Sequence, residues 1–401
     1  MRFLICAMYD LSRNDGYTGH LQYLLSILRE EGHTYLLTGM RSKSSHKRRT
    51  DVLVEGTDVL AQLMCASLAV EKARHWNPDI FLFTQAGSIF NGVLSSLVRS
   101  MNLPMIYDCL DPVPETFLLT FNRSINYVFQ PWLKLSERFI DAGATATLSV
   151  SPGLDAILRK RGWRGPIFRF YNVHNTFPVG QPGKSKLRER AGWESSAILV
   201  YAGGLQEKVR GLEDQLRAVA IAVQLGANVK FLIVGSSGSP TPFQVQSSKL
   251  GIDDSVLFLG PVTPSELADI LSDCDVAVSN SLPYALPSKI FEYLSNGVHI
   301  ISVDDLNDVN VLFKDFVELY DGSIEDLAML LKRKSKSTRK TAELTRIRAL
   351  IASLRNESKQ SLLRSIDLCA VKLKLPETDR NGMETVETVG QNERRLLESK
   401  E

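Results

Sequence analysis

The chain has 401 residues, 44% of them hydrophobic and 23% charged, with 47 Lys and Arg against 45 Asp and Glu for a formal net charge of +2. At about 100–200 residues per domain, this length suits two domains, each with apolar content for its own core. The near-even charge gives no whole-chain reason to expect a nucleic-acid partner.

The first residues, Met1–Asp10, hold an apolar run too short for a signal-peptide core, and Phe3–Met8 reads as a buried first strand. No run approaches the ~18 apolar residues of a membrane span, so any membrane contact is expected to be peripheral, on the inner face of the membrane in a cytoplasmic protein. After a Gly-containing loop, Asp10–Gly19, a helix is expected over His20–Glu31, with Leu21, Leu24, Leu25 and Leu28 at helical spacing and Gly32 as its stop. Thr34–Thr38 is the next strand. Arg41–Thr50 is basic and Ser-rich, which suits a solvated loop, with a phosphate or lipid-headgroup contact as the alternative. Strands are expected at Asp79–Phe83 and Met105–Tyr107, with a helix over Gly92–Met101 between them. Phe117–Phe139 is rich in Phe, Leu, Tyr and Trp and reads as a buried helix. Its Arg123, Lys134 and Arg138 leave a patch facing an anionic membrane as the alternative. Strands at Thr145–Ser149 and Ile167–Tyr171 close the series. Strands alternating with helices predict a parallel sheet covered on both faces.

Thr176–Lys186 contains Pro178, Gly180, Pro182 and Gly183 and suits a linker. The alternation then restarts with strands at Ala197–Tyr201, Val229–Val234, Val256–Leu259, Val276–Ser279 and Val298–Val303, and a helix over Glu213–Leu225. Thr263-Pro264-Ser265-Glu266 has the form of a capping box. Two α/β halves joined by such a linker predict two facing Rossmann-like domains, with ligands at the carboxyl ends of the strands. The expected divisions are 1–175, the linker 176–186, 187–332, basic and amphipathic helices over 333–375, and a disordered tail over 376–401. The cysteines, Cys6, Cys65, Cys109, Cys274 and Cys369, are scattered, which fits buried free thiols in a reducing compartment.

Three segments carry chemistry. Leu286-Pro287-Ser288-Lys289-Ile290-Phe291-Glu292-Tyr293-Leu294 predicts a helix capped by Ser288 and stopped at Gly297. Its core face is Ile290, Phe291 and Leu294, with Lys289 and Glu292 sharing the other side. A helix N-terminus with a lysine suits a phosphate, and a carboxylate one turn on can accept from ribose hydroxyls. Spacing alone favours the plainer reading, a capped surface helix with a salt bridge. Leu199–Leu205 runs a strand into Gly203-Gly204, followed by the cations Lys208 and Arg210, and Phe231–Ser239 ends a strand at Gly235-Ser236. Read by themselves, the two cations are equally well explained as solvent-exposed, and the Gly235-Ser236 segment as an ordinary strand-to-loop turn.

Together, in order over residues 203–297, these segments resemble the donor half of the GT-B glycosyltransferases of family 4, the "group 1" nucleotide-sugar transferases. The match includes Phe258-Leu259-Gly260-Pro261-Val262 and Cys274-Asp275-Val276. The first half resembles that family's acceptor domain through Gly16–His20, Gly32-His33, Pro78-Asp79, Tyr107-Asp108-x-x-Asp111 and Asn172. The resemblance implies a final helix crossing back to the first domain. It also implies transfer of a sugar from a nucleotide-diphosphate sugar to a glycan or lipid-linked acceptor, with retention, in cell-surface polysaccharide synthesis. Neither a metal nor any other cofactor is expected, because lysine and arginine can take the diphosphate charge.

Carried over residue by residue, Glu292 would hold the donor ribose, and Lys289 and Arg210 would neutralise the diphosphate. Gly203, Gly204 and Gly235 would admit the donor to the backbone, and Gly19 would face its phosphates. Lys208, Ser236, Tyr284, Leu286, Pro287 and Ser288 complete the expected donor set. Asp111 is the expected catalytic carboxylate, with Tyr17, Thr18, His20 and Glu115 toward the acceptor. Loop capping explains Asp111 and Glu115 as well, and a satisfied helix-start histidine explains His20. The chain departs from the family pattern at Tyr284, where many relatives have a second glutamate, and at Gly204, where many have arginine. A GT-B epimerase or hydrolase, or a nucleotide-sugar-binding subunit of weakened activity, are the alternatives. An NAD oxidoreductase is disfavoured, since no G-x-G-x-x-G follows the first strand.

Overall fold

The computed structural model describes residues 1–12, 16–41, 51–55, 59–84, 90–112, 123–173, 178–205, 211–235, 240–280, 286–334 and 341–374. The chain forms two compact units. Unit 1 is Met1–Asn175 with the chain from Arg355 onward, and unit 2 is Thr176–Leu354.

In unit 1 the order is β1 (Arg2–Asp10), α1 (Gly16–Glu30), β2 (Thr34–Arg41), β3 (Asp51–Glu55), α2 (Val59–Trp76), β4 (Ile80–Thr84), α3 (Asn91–Ser100), β5 (Met105–Cys109), α4 (Arg123–Gly143), β6 (Ala146–Ser149), α5 (Pro152–Lys160) and β7 (Ile167–Arg169). The strands form one parallel sheet in the order β3-β2-β1-β4-β5-β6-β7. Phe3 to Met8, Ile80 to Phe83 and Met105 to Tyr107 are buried along their whole length, because helices cover both faces.

β3, α2 and α5 go beyond the elements expected above. α2 hides from a periodicity search because its inward residues are small, Ala61, Cys65, Ala66, Ala69 and Ala73, while Leu60, Leu63 and Met64 are exposed. α5 opens on Ser151, whose hydroxyl accepts from Leu154 N at 3.2 Å, with Pro152 at the first position.

Unit 2 runs α6 (Leu187–Ala191), β8 (Ala197–Ala202), α7 (Leu212–Gln224), β9 (Val229–Val234), α8 (Thr241–Lys249), β10 (Val256–Gly260), α9 (Pro264–Leu271), β11 (Val276–Ser279), α10 (Ser288–Ser295), β12 (His299–Val303), α11 (Asp308–Leu312), β13 (Val317–Tyr320) and α12 (Ile324–Arg333). Its parallel sheet has the order β10-β9-β8-β11-β12-β13. The capping box expected at the start of α9 is formed, with Thr263 and Glu266 bonded reciprocally. Part of the expected linker is bonded onto this unit. Gly180 N donates to Asn296 Oδ1 at 2.8 Å, Gln181 N to Asp269 at 3.0 Å and Gly183 N to Asp273 at 2.6 Å.

The last helix, α13 (Thr341–Lys374), belongs to both units, so the chain does return to unit 1. The return is made by the later part of the helix alone. Leu344, Ile347, Ile351 and Leu354 fall within unit 2, where Leu344 lies against Gly297. Leu362, Ile366 and Cys369 are the ones that enter the core of unit 1. The amphipathic stripe changes partner partway along the helix, and its sequence period carries no mark of the change. Among the described residues no helix is long and apolar enough to cross a membrane, and all five cysteines are buried free thiols. The expected tail over 376–401 and the basic run after Arg41 lie outside the described residues.

Candidate active site

Open parallel sheets bind ligands outside the carboxyl ends of their strands, where the strand order reverses. In unit 2 that point lies between β8 and β11. β8 ends at Ala202 and passes into Gly203 and Gly204. Gly203 N donates to Val234 O at 2.9 Å, and the Tyr201 hydroxyl donates to Gly204 O at 2.6 Å. Gly235, at the end of β9, is pressed against this turn. A Cβ there would stand 2.0 Å from Gly203 O, so only glycine fits.

α10 rises beside the same turn. Ile290, Phe291 and Leu294 are wholly buried, while Lys289 and Glu292 are half-buried on the other side. Phe291 meets Phe313 edge to face at 5.5 Å. Tyr293 anchors the helix to the end of β8, since its hydroxyl accepts from Ala202 N at 2.7 Å. Ser288 was expected to cap this helix. Instead Pro287 occupies the cap position in an extended conformation, Ser288 is the first helical residue, and the cap makes no side-chain hydrogen bond. A proline ring offers no acceptor to the first-turn N–H groups, which leaves them to other acceptors. Gly297 ends the helix at φ +86°.

Lys289 Nζ lies 4.6 Å from the centroid of the Tyr201 ring, close enough for a cation–π contact that holds the ammonium over the β8 end. Burial pushes the Glu292 carboxyl up to about 7, against the opposing pull of Lys289. Leu286 is buried just ahead of the helix. Across the turn, Asn280 follows β11, accepts from the Tyr320 hydroxyl at 3.0 Å, and lies where a Cβ on Gly211 would strike it. Gly211, at φ +62°, opens α7. Unit 2 thus gathers Gly203, Gly204, Gly235, Leu286, Pro287, Ser288, Lys289 and Glu292 around one strand end. Arg210, Lys208, Ser236 and Tyr284 lie outside the described residues. Tyr201, Tyr293 and Asn280 were missed. Each works through a partner distant in sequence, a signal that local spacing does not carry.

Unit 1 holds a second constellation at the carboxyl ends of β1 and β5. The Tyr17 hydroxyl donates to Asp111, and the Tyr9 hydroxyl donates to Tyr17 O at 3.2 Å. Thr18 is buried and Gly19 half-buried in the same first turn of α1. His20 is wholly buried. Its Nε2 is 3.1 Å from both Asp108 carboxylate oxygens, and its ring meets Phe170 edge to face at 5.0 Å. That pairing fastens α1 to β5, which sets the position of Tyr17 and Thr18 and keeps the imidazole from solvent. Glu115 lies outside the described residues. Among the described residues no three His, Cys, Asp or Glu side chains gather as metal ligands would.

The sequence profile described as "Glycosyl transferases group 1" matches residues 183–346. No curated protein matches the chain at a significant level. Among solved structures, the chain is similar to Anabaena HepE in complex with UDP, at TM-score 0.63 and 18% identity, covering 93% of this chain and 99% of that one. It is also similar to WaaG, a glycosyltransferase involved in lipopolysaccharide biosynthesis, at TM-score 0.62 and 13% identity, covering 92% and 99%. Sucrose-phosphate synthase from Thermosynechococcus elongatus matches at TM-score 0.63 and 13% identity, covering 99% of both chains. At these identities the structural likeness speaks for the fold, and the profile speaks for the family. The chain is a glycosyltransferase of the GT-B fold whose residues 183–346 belong to the group 1 glycosyl transferases.

Proposed function

We propose that the protein moves a sugar from a nucleotide-diphosphate sugar to a glycan or lipid-linked acceptor, with retention and without a metal, in cell-surface polysaccharide synthesis. On this reading it works in the cytoplasm in peripheral contact with an anionic membrane. The observation that carries the donor assignment is the placement of Lys289 and Glu292 beside the Gly203-Gly204 turn, at the point where the strand order of unit 2 reverses. Glu292 would accept from the donor ribose hydroxyls. Lys289, the α10 N-terminus and Arg210 would take up the negative charge that builds on the diphosphate as the sugar bond breaks. The close backbone at Gly203, Gly204 and Gly235 would let the diphosphate approach. In unit 1 the Tyr17–Asp111 pair would meet the acceptor hydroxyl, with His20 and Asp108 holding Tyr17 in place.

The test is a thermal-shift series with nucleoside diphosphates, UDP first because HepE is solved with it. A ligand that binds only the folded protein must raise its melting temperature, by an amount that grows with concentration. No shift with any nucleoside diphosphate would remove the donor assignment.

A further inference from the structure

The strand order of unit 2 reverses between β8 and β11, so the connections β8–α7 and β11–α10 flank the crevice assigned above to the donor. One side chain touches the roots of both. Asn280 directly follows β11, and its amide lies on Gly211, the residue that opens α7. A Cβ on Gly211 would stand 1.9 Å from Asn280 Nδ2, and the three atoms nearest to it all belong to the Asn280 side chain. Gly211 enters the helix at φ +62° with no side-chain cap. Glycine has the widest choice of backbone conformations, so a helix that starts on one is fixed in direction only where something outside holds it. Here the amide of Asn280 fills the space that a side chain on Gly211 would take.

The amide is itself held from a third strand. The Tyr320 hydroxyl, at the end of β13, donates to Asn280 Oδ1 at 3.0 Å, which turns Nδ2 toward Gly211. Tyr320 is buried, with its ring in the core of unit 2. Burial pushes its hydroxyl up to about 12, and the charge of Asp214 acts in the same direction, so the phenol keeps the proton it donates across the neutral range. Beside this bond lies a cavity of about 240 Å³, lined by Val303, Ser323, Ile324 and Leu327 as well as by Tyr320 and Asn280. Close packing does not fix the amide on that side, which leaves the phenol to do so.

We propose that Asn280, oriented by Tyr320, is a positioning residue for the donor diphosphate. Its amide sets the conformation of Gly211, and Arg210 is joined to Gly211 by a single peptide bond. The same amide therefore limits where that cation can stand as charge builds on the diphosphate. A displacement of about 1 Å in a group that faces a reacting centre can cost on the order of a hundredfold in rate. This rests on the donor assignment above and extends it to two residues that act through Gly211.

The test uses the full chain and titration calorimetry with a nucleoside diphosphate, UDP first, and with its nucleoside. Tyr320→Phe keeps the ring in the core and removes the bond to Asn280. It should lower diphosphate affinity about fivefold to tenfold and leave nucleoside affinity unchanged. Asn280→Ala should do the same. The double variant should bind no more weakly than Asn280→Ala alone, because the tyrosine acts only through the amide. The contact itself is read from stability. Gly211→Ala should lower the melting temperature less in the Asn280→Ala background than in the wild type, where the new methyl meets Nδ2 in addition to the strain of a positive φ. Unchanged diphosphate affinity in either variant, or an equal loss for diphosphate and nucleoside, overturns the proposal. So do additive losses in the double variant, or the same cost of Gly211→Ala in both backgrounds. Each of these leaves the donor assignment standing, because the wild type still binds. A wild type that binds no nucleoside diphosphate removes the donor assignment, and this inference falls with it.

Discussion

The Tyr293 hydroxyl and the backbone of Ala202 are joined twice, accepting from Ala202 N at 2.7 Å and donating to Ala202 O at 3.4 Å. Ala202 is the last residue of β8 and Tyr293 lies in the middle of α10. The pair therefore sets how close Lys289 and Glu292 come to the Gly203-Gly204 turn. Tyr293→Phe keeps the ring and removes both bonds, leaving a buried N–H without its partner at a cost of about 1–3 kcal/mol. Denaturant unfolding should show that loss, and titration calorimetry should show weaker nucleoside-diphosphate binding. A variant with lowered stability and unchanged nucleotide affinity would separate the anchor from the site.

Lys289→Ala and Glu292→Ala should each weaken donor binding while leaving the fold intact, because the core face of α10 is Ile290, Phe291 and Leu294. A hydrogen bond to a charged group contributes about 1.5–3 kcal/mol, which is on the order of tenfold to a hundredfold in Kd. The two variants should differ in what they lose. Lys289→Ala should lose affinity for nucleoside diphosphate and leave affinity for the nucleoside unchanged, which narrows the preference between them. Glu292→Ala should lose affinity for both. Unchanged affinity in both variants removes the donor assignment from α10.

Glu292 also makes stability depend on pH. Burial raises its carboxyl from 4.5 to about 7 in the folded protein. Between those values the folded state holds a proton that the unfolded state has lost, so stability falls as pH rises through that window and levels off above it. Glu292→Gln keeps a neutral side chain at every pH. Its stability should match the wild type near pH 5 and exceed it at pH 8 by about 1–3 kcal/mol. Urea titrations at the two pH values measure the gap, and a gap that stays constant would mean the carboxylate is well solvated.

What could be read in advance, and what could not, follows from how far apart the interacting residues are. Phe3–Met8 and Val229–Val234 are apolar runs, and they are strands. The Thr263–Glu266 cap is four residues long, and it forms as expected. Ser288 was misplaced by one position because Pro287 takes the extended cap conformation. α2 escaped notice because alanines face its core and leucines face outward. The burial of His20 depends on Asp108, 88 residues away, and no local pattern announces such a pairing. In the same way, Lys289 finds Tyr201 only after β8 and α10 are brought side by side.

Transfer should survive a chelator. In the proposed site, Lys289 and Arg210 and the first-turn N–H groups of α10 carry the task that a divalent cation would otherwise perform on the diphosphate. Donor turnover in EDTA should equal turnover in magnesium or manganese. Activity that falls in EDTA and returns with either metal would show that the cations of the chain are not sufficient.

The final helix offers a test of how the two units depend on each other. From Arg355 on, α13 belongs to unit 1, where Leu362, Ile366 and Cys369 are in the core. Polar contacts add to this, since Tyr171 N donates to Ser358 Oγ at 3.0 Å and Lys359 bridges Glu30 and Glu31. Before Arg355, the helix is bound to unit 2, where Arg348 donates to Ser295 O at 3.2 Å. Ending the chain before residue 376 removes a polar segment with few aromatics and should leave the melting temperature and nucleotide binding nearly unchanged. Ending it after Leu354 removes three core side chains from unit 1, each worth about 1.5–3 kcal/mol of burial, and should lower the melting temperature of that unit. Cys6, Cys65 and Cys109 are buried in unit 1, so a thiol reagent should label them faster in the shorter protein. Cys274, in unit 2, should keep its wild-type rate, as should nucleotide binding. If the two truncations melt and label alike, the return of α13 contributes nothing to the core of unit 1.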